Sequence, residues 1–201
     1  MPRRPVAQIS LFAAVVTLAM TGLNSAALAH VGDHSHMSFA EGLAHPFTGL
    51  DHVLAMVAVG LWAAQLGRPA VWLLPATFPV VMAIGAAVGM SGSEMPWVEI
   101  GVAGSVVALG AAIAFAYRPS LAASAALIAL FALLHGYSHG VELPTDASGL
   151  TYGAGFVAAT LTLHMIGIAI GLLANRIPMR YGARAAGAAI AVTGAVLLLT
   201  A

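Results

Sequence analysis

Two short motifs place histidine and carboxylate side chains where they could bind one metal ion together. His135 and His139 are four residues apart, so in a helix both imidazoles project from one face. Asp51 and His52 are adjacent, and His45 precedes His52 by about two helical turns. Both motifs lie in apolar sequence, where ionisable groups are costly and need a common partner. These residue types therefore predict a shared divalent metal ion.

Further side chains are candidates for the same site. Glu142 continues the helix face of His139, and Glu99 lies about one turn inside another apolar stretch, where it could instead stabilise a helix N-terminus. His164 is isolated in an apolar stretch, so a metal role competes with ordinary packing. Three more histidines near the N-terminus could capture metal ions or simply be solvated: His30, His34 and His36.

The absence of cysteine narrows the chemistry, because it excludes disulfides, iron–sulfur clusters and thiolate metal sites. Imidazole and carboxylate without thiolate suit nickel, cobalt, zinc or iron(II), and they argue against copper(I). The chain has no nucleotide-binding motif, and we expect no organic cofactor.

The charge content indicates the environment of these motifs. Of 201 residues, 61% are hydrophobic and only 7% are charged, whereas soluble domains have about 25% charged residues. So few charges could not cover a surface that faces water, which excludes a cytosolic enzyme, a nucleic-acid-binding protein and a disordered tail. The predicted fold is all-α, a polytopic bundle of transmembrane helices.

Residues 1–29 have the pattern of a secretory signal peptide. Arg3 and Arg4 form a basic start, an apolar stretch covers Ile9 to Met20, and Ala27-Leu28-Ala29 matches an A-x-A cleavage site. The alternative is an uncleaved membrane anchor. In both cases the chain continues on the outer side of the membrane, with a histidine-containing periplasmic segment over 30–45 and a transmembrane domain over 46–201.

The remaining sequence has room for six membrane spans of about 20 residues each. Short breaks rich in Gly, Pro, Ser and Arg separate the apolar stretches. We predict spans at 46–65, 70–90, 96–117, 120–140, 150–174 and 182–200. In the second span, Pro75 and Pro79 flank Phe78 and are typical of a broken helix with free backbone carbonyls.

The arginines predict the orientation of the chain in the membrane. With an outward N-terminus, every arginine after the signal peptide falls in a cytoplasmic break, as the positive-inside rule requires: Arg68, Arg118, Arg176, Arg180 and Arg184. Most of the acids fall outside: Asp33, Glu41, Glu94, Glu142 and Asp146. This topology brings the His and carboxylate groups of the first, third and fourth spans to one outer depth, with Asp51 and His52 about 8 Å inside the membrane.

The two motifs together resemble those of a known family. They read His45-Pro46-x-x-Gly49-x-Asp51-His52-x-x-x-Met56 and His135-Gly136-x-x-His139-Gly140-x-Glu142. With the signal peptide, they resemble the HupE/UreJ family of bacterial membrane proteins over essentially the whole mature chain. The larger nickel/cobalt transporter family is similar in using H-x4-D-H, but the spacing here is H-x5-D-H, so we do not assign the chain to that family.

The resemblance implies an inner-membrane permease for Ni²⁺ or Co²⁺, associated with hydrogenase or urease gene clusters. The metal is then a transported substrate, recognised by His45, Asp51 and His52 of the first motif and by His139 and Glu142 of the second, with His135 in the same motif. As partners we expect the metal ion and the lipid bilayer, and no nucleic acid. A homo-oligomer and contacts with nickel-enzyme maturation proteins stay open.

Three other functions use the same residue types. The H-x3-H spacing of His135 and His139 also occurs in membrane metalloenzymes, although these usually contain more clustered histidines. A haem-binding subunit would use two axial histidines from different helices. A metal-binding accessory protein would hold nickel without transporting it. We predict a permease and no catalytic residues.

Overall fold

The computed structural model describes residues 38–143, 148–176 and 180–200. Within these ranges it contains seven α-helices and no β-strand, which confirms the all-α prediction. The helices are α1 (Phe39–Ala44), α2 (Leu50–Leu66), α3 (Ala70–Met90), α4 (Val98–Ala114), α5 (Leu121–Glu142), α6 (Ser148–Arg176) and α7 (Arg180–Thr200), with a 3-10 turn over His45–Phe47. The signal peptide, the segment 30–37 and its three histidines, His30, His34 and His36, lie outside the described residues.

The helices are those of a membrane protein. Among the described residues, α3, α5, α6 and α7 are long and apolar enough to cross a membrane. Phe39–Phe47 and Leu50–Leu66 pass the same test together, as one span bent by 84°. Helix α4 is apolar but has only 17 residues. The described residues thus contain four or five candidate spans, and the count of six stays a prediction.

The start of the first span differs from the sequence prediction. The sequence predicts one helix from 46 with Pro46 in its first turn, whereas α2 begins at Leu50. Pro46 lies in the 3-10 turn, and Gly49 follows with an extended backbone (φ −100°, ψ 121°) that separates the turn from α2. Asp51 and His52 therefore lie in the first turn of α2, and the bend, not helical periodicity, sets the position of His45.

Helix α3 covers the predicted range 70–90, but it is continuous through Pro75 and Pro79, so the expected break is wrong. A proline has no N–H to donate to the carbonyl four residues earlier. Pro79 therefore leaves the carbonyl of Pro75 without its usual helical partner. The free carbonyl that the sequence predicts is present inside an unbroken helix.

Helix α4 is shorter than the predicted span 96–117. Ala116 has a left-handed backbone (φ 52°), and Arg118-Pro119 follows, so the helix ends at Ala114. Its first turn contains Glu99. The predicted span is too long because the apolar residues continue to Tyr117, beyond the point where the backbone leaves the helical conformation.

Three pairs of the longer helices pack with their backbones in close contact at glycines, as is typical of membrane helices. Helices α2 and α6 run parallel, α3 and α5 run parallel, and α4 and α7 run antiparallel. In each pair a Cβ added to a glycine would strike the facing backbone. These glycines are Gly60 and Gly167 for α2 with α6, Gly85, Gly89, Gly136 and Gly140 for α3 with α5, and Gly110 and Gly187 for α4 with α7.

One end of the bundle carries arginines, and we call it the arginine end. Arg68 and Arg118 lie in the connections after α2 and α4, and Nε of Arg184 on α7 donates to the Ala114 carbonyl at 2.7 Å. Nε1 of Trp62 links α2 to the same region through the Tyr117 carbonyl, at 3.1 Å. The opposite end, where α2 begins and α5 ends, carries the histidines, and we call it the histidine end.

Candidate metal centre

Four histidines from three elements meet at the histidine end, and we call them the outer cluster: His45 from the 3-10 turn, His52 from α2, and His135 and His139 from α5. Nε2 of His52 lies 2.6 Å from Nε2 of His139. The ring centroids of His45 and His139 are 5.0 Å apart, and those of His52 and His135 are 5.4 Å apart. The fold therefore joins the two sequence motifs, which are separated by more than half of the described chain.

Two of these rings are held in a defined orientation through Nδ1. Nδ1 of His52 lies 2.7 Å from Oδ1 of Asp51, and Nδ1 of His135 lies 2.8 Å from the Phe131 carbonyl. A carboxylate or carbonyl accepts from Nδ1–H and so leaves the lone pair on Nε2, which is the usual arrangement around histidines that bind metal. Nε2 of His135 is buried and has no hydrogen-bond partner. The Nε2 atoms of His52 and His135 are thus left available as metal ligands.

The cluster is not arranged as a finished coordination shell. Across the described ranges, no three His, Asp or Glu side chains are placed around a common metal position. Ligand nitrogens at about 2.0–2.1 Å from one ion stand about 3 Å apart, whereas the Nε2 atoms of His52 and His139 are in direct hydrogen-bonding contact. To bind one ion together, the two Nε2 atoms would have to move apart by about 0.4 Å.

Aromatic side chains enclose the outer cluster. Phe156 on α6 contacts the rings of His139 and His45, with centroids 4.5 Å and 5.8 Å away. Tyr152, one turn earlier, contacts His45 at 5.8 Å. A recess of about 790 Å³ between α3, α5 and α6 is lined by His139 and Tyr152 among mostly apolar residues. Neither sequence motif includes these aromatic residues, although the spacing of Tyr152 and Phe156 by four residues is a signal for a shared helix face.

Two predicted carboxylates differ from Asp51 in their placement. Glu99 is exposed and lines a separate recess of about 690 Å³, together with Glu94 and Tyr137. Among the described side chains, the only ion pair between a histidine and a carboxylate is that of His52 with Asp51. The expectation that Glu99 joins the histidines is thus not met by a direct contact. The side chain of Glu142, at the end of α5, lies outside the described residues.

His164 lies deeper in the bundle than the outer cluster. It is fully buried on α6, and its ring packs edge-on against Phe78 of α3 at 5.3 Å. Phe78 also contacts His135 at 5.6 Å, so this phenyl ring separates His164 from the outer cluster. The structure confirms that His164 lies near the middle of its helix, far from both ends of α6. It does not place His164 in the outer cluster.

Comparison with known proteins identifies the family. A family model described as HupE / UreJ protein matches residues 18–197. The chain belongs to the HupE/UreJ family. This HupE/UreJ chain is also 46% identical over 183 residues to Protein HupE of Rhizobium leguminosarum bv. viciae, a match that covers 91% of this chain and 95% of that protein. No solved structure gives a match. The resemblance drawn from the two motifs is confirmed, and four of their histidines form the outer cluster.

Proposed function

We propose that the protein is an inner-membrane permease for Ni²⁺, with Co²⁺ as a second substrate, that supplies metal for a nickel enzyme such as hydrogenase or urease. The observation that carries this proposal is the contact of His52 with His139, which unites the two family motifs in one partly buried cluster. Family membership favours a permease or an accessory protein over the metalloenzyme suggested by the H-x3-H spacing.

The donor set suits the cargo. Imidazole nitrogens with one carboxylate match borderline metals such as Ni²⁺ and Co²⁺ better than Mg²⁺ or Ca²⁺, which prefer oxygen ligands. Asp51 places a negative charge behind His52, and this charge offsets part of the cost of removing water from a divalent ion. The cluster thus selects by ligand type and lowers the barrier to dehydration at the same position.

Burial increases from the edge of the cluster inward. His45 and His52 are partly exposed, His139 is 8% exposed, and His135 is fully buried. An arriving ion would exchange its waters for imidazoles stepwise, first at the accessible rings and then at Nε2 of His135. This order avoids a single step in which the whole hydration shell is lost.

The proposed orientation of the protein in the membrane follows from the positions of its arginines. The arginine end faces the cytoplasm, in accord with the positive-inside rule. The histidine end and the mature N-terminus then face the periplasm, after cleavage of a signal peptide at 29, and six spans connect the two sides. In this arrangement the outer cluster meets nickel ions that arrive from outside the cell.

Uptake of radioactive nickel by whole cells tests the proposal. We expect near-complete loss of uptake for His139→Ala and unchanged uptake for Glu94→Gln, which removes an exposed acid outside the cluster. Competition by Co²⁺ and Zn²⁺ in the same assay measures selectivity. Wild-type uptake by His139→Ala would contradict the proposal. Flux into liposomes containing the purified protein separates a permease from an accessory protein, which binds nickel without moving it.

A further inference from the structure

Among the described residues of α6, three buried polar side-chain atoms have no hydrogen-bond partner. They are Oγ1 of Thr160 and both ring nitrogens, Nδ1 and Nε2, of His164. Both residues are fully buried. They lie one turn apart on α6, so their side chains share a helix face. Buried polar groups in proteins are nearly always paired, and an orphaned group needs an explanation such as a ligand or an ion.

A backbone oxygen lies at the same place. The carbonyl of Pro75 on α3 interacts with the His164 ring, but the geometry falls short of a hydrogen bond to either ring nitrogen. Because Pro79 has no N–H, this carbonyl also lacks its helical partner. An imidazole, a hydroxyl and a free carbonyl from two helices are therefore available to a cation that reaches this level.

We propose that His164, Thr160 and the Pro75 carbonyl form a second binding site for a divalent transition-metal ion, on the route from the outer cluster to the arginine end. This inference rests on the proposed transport function. His164 follows Phe156, which contacts the outer cluster, by eight residues, so the second site lies about 12 Å farther along α6.

The ligands of the second site fit a weak, intermediate binding site along a transport pathway. Its three groups are neutral, whereas the outer cluster includes the Asp51 carboxylate. Fewer ligands and no charge give weaker binding, and a conduction pathway needs inner sites that release the ion readily. The nitrogen ligand retains the preference for borderline metals over Mg²⁺ and Ca²⁺.

Metal stoichiometry and nickel uptake together test the second site. The full-length protein in lipid nanodiscs is dialysed against Ni²⁺, and bound metal is counted for each variant. We expect two ions for the wild type, and one each for His164→Leu and for the double variant His52→Ala/His139→Ala. We expect Thr160→Val to weaken inner binding about tenfold or more and to slow uptake. Thr162→Val is the matched control, because this hydroxyl lies on the exposed face and donates to Ala158.

The outcomes separate this inference from the proposed function. If the wild type takes up nickel and His164→Leu keeps wild-type stoichiometry, the second site is refuted while the permease stands. A loss of uptake with unchanged stoichiometry also refutes it, because His164 would then act on protons or on structure. If wild-type protein binds two ions but transports none, only the permease proposal fails. Should His164→Leu not fold, as judged by size-exclusion chromatography, the comparison of Thr160→Val with Thr162→Val decides.

Discussion

Replacement of Asp51 by asparagine removes one charge from the outer cluster and little else. The asparagine side chain has nearly the same shape, and its oxygen can still accept from Nδ1 of His52, a contact of 2.7 Å in the wild type. The ring orientation of His52 is therefore retained. Any change in nickel affinity then reports the electrostatic contribution of the carboxylate.

The size of the effect can be worked out from this geometry. With 2.7 Å from Oδ1 to Nδ1, an imidazole ring in between and a metal–nitrogen bond of about 2.1 Å, the carboxylate stands about 7 Å from the ion. A single and a double charge at that distance attract by about 5 kcal/mol at an effective dielectric constant of 20. The Asp51 side chain is 31% exposed, so solvent screens part of this attraction. Loss of a carboxylate behind a metal-bound histidine usually weakens affinity about 10- to 100-fold, or about 1.4–2.7 kcal/mol.

We therefore expect Asp51→Asn to raise the nickel Kd about 10- to 100-fold, measured by titration of the purified protein. Uptake by cells should fall by a similar factor when nickel is limiting and recover when nickel is abundant, because the ligands themselves remain. Asp51→Ala also removes the hydrogen-bond acceptor for Nδ1 of His52, so this variant should bind nickel more weakly still. A Kd of Asp51→Asn equal to that of the wild type would show that the carboxylate does not act on the ion and would refute this reasoning.

Two further predictions concern packing and acidity. Gly136→Ala places a Cβ against the Met82 carbonyl, so it should destabilise the protein by about 1–3 kcal/mol and lower its melting temperature in detergent, whereas Gly104→Ala, which meets open space, should be tolerated. If both variants melt alike, the close contact of α3 with α5 is not a determinant of stability. Nickel affinity should fall as the pH is lowered, because ligating imidazoles must be neutral and protons compete with the ion. Binding measured across a range of pH checks this prediction, and a flat profile would argue against histidine ligands.

The sequence predicts most of the helices, because apolar stretches and their breaks are local signals. The range of α3 agrees with the prediction, and His135 and His139 lie on one helix as their spacing indicates. The contact between His52 and His139 could not be predicted, because it depends on how α2 and α5 pack. The positions of these two helices depend on the glycine contacts of α2 with α6 and of α5 with α3, and the sequence offers glycines for many other pairings.

The errors also have physical causes. Pro46 is compatible with the first turn of a helix and equally with a 3-10 turn, and the extended backbone of Gly49 decides for the latter. Glu99 is at the right depth in sequence terms, but depth does not determine which way a helix face points. For His164 the sequence could not separate packing from metal binding, because the lack of hydrogen-bond partners at both ring nitrogens is visible only in the folded bundle.

The glycine contacts have a consequence for how the molecule could move. Backbones in direct contact resist sliding past each other, so we expect α2 with α6, and α3 with α5, to move together as two units. His45 and His52 belong to the side of the first unit, and His135 and His139 belong to the second. An ion bound by histidines of both helix pairs would bridge the interface between them. Binding of the ion would hold this interface closed at the histidine end, and release of the ion toward the arginine end would allow the two helix pairs to separate again.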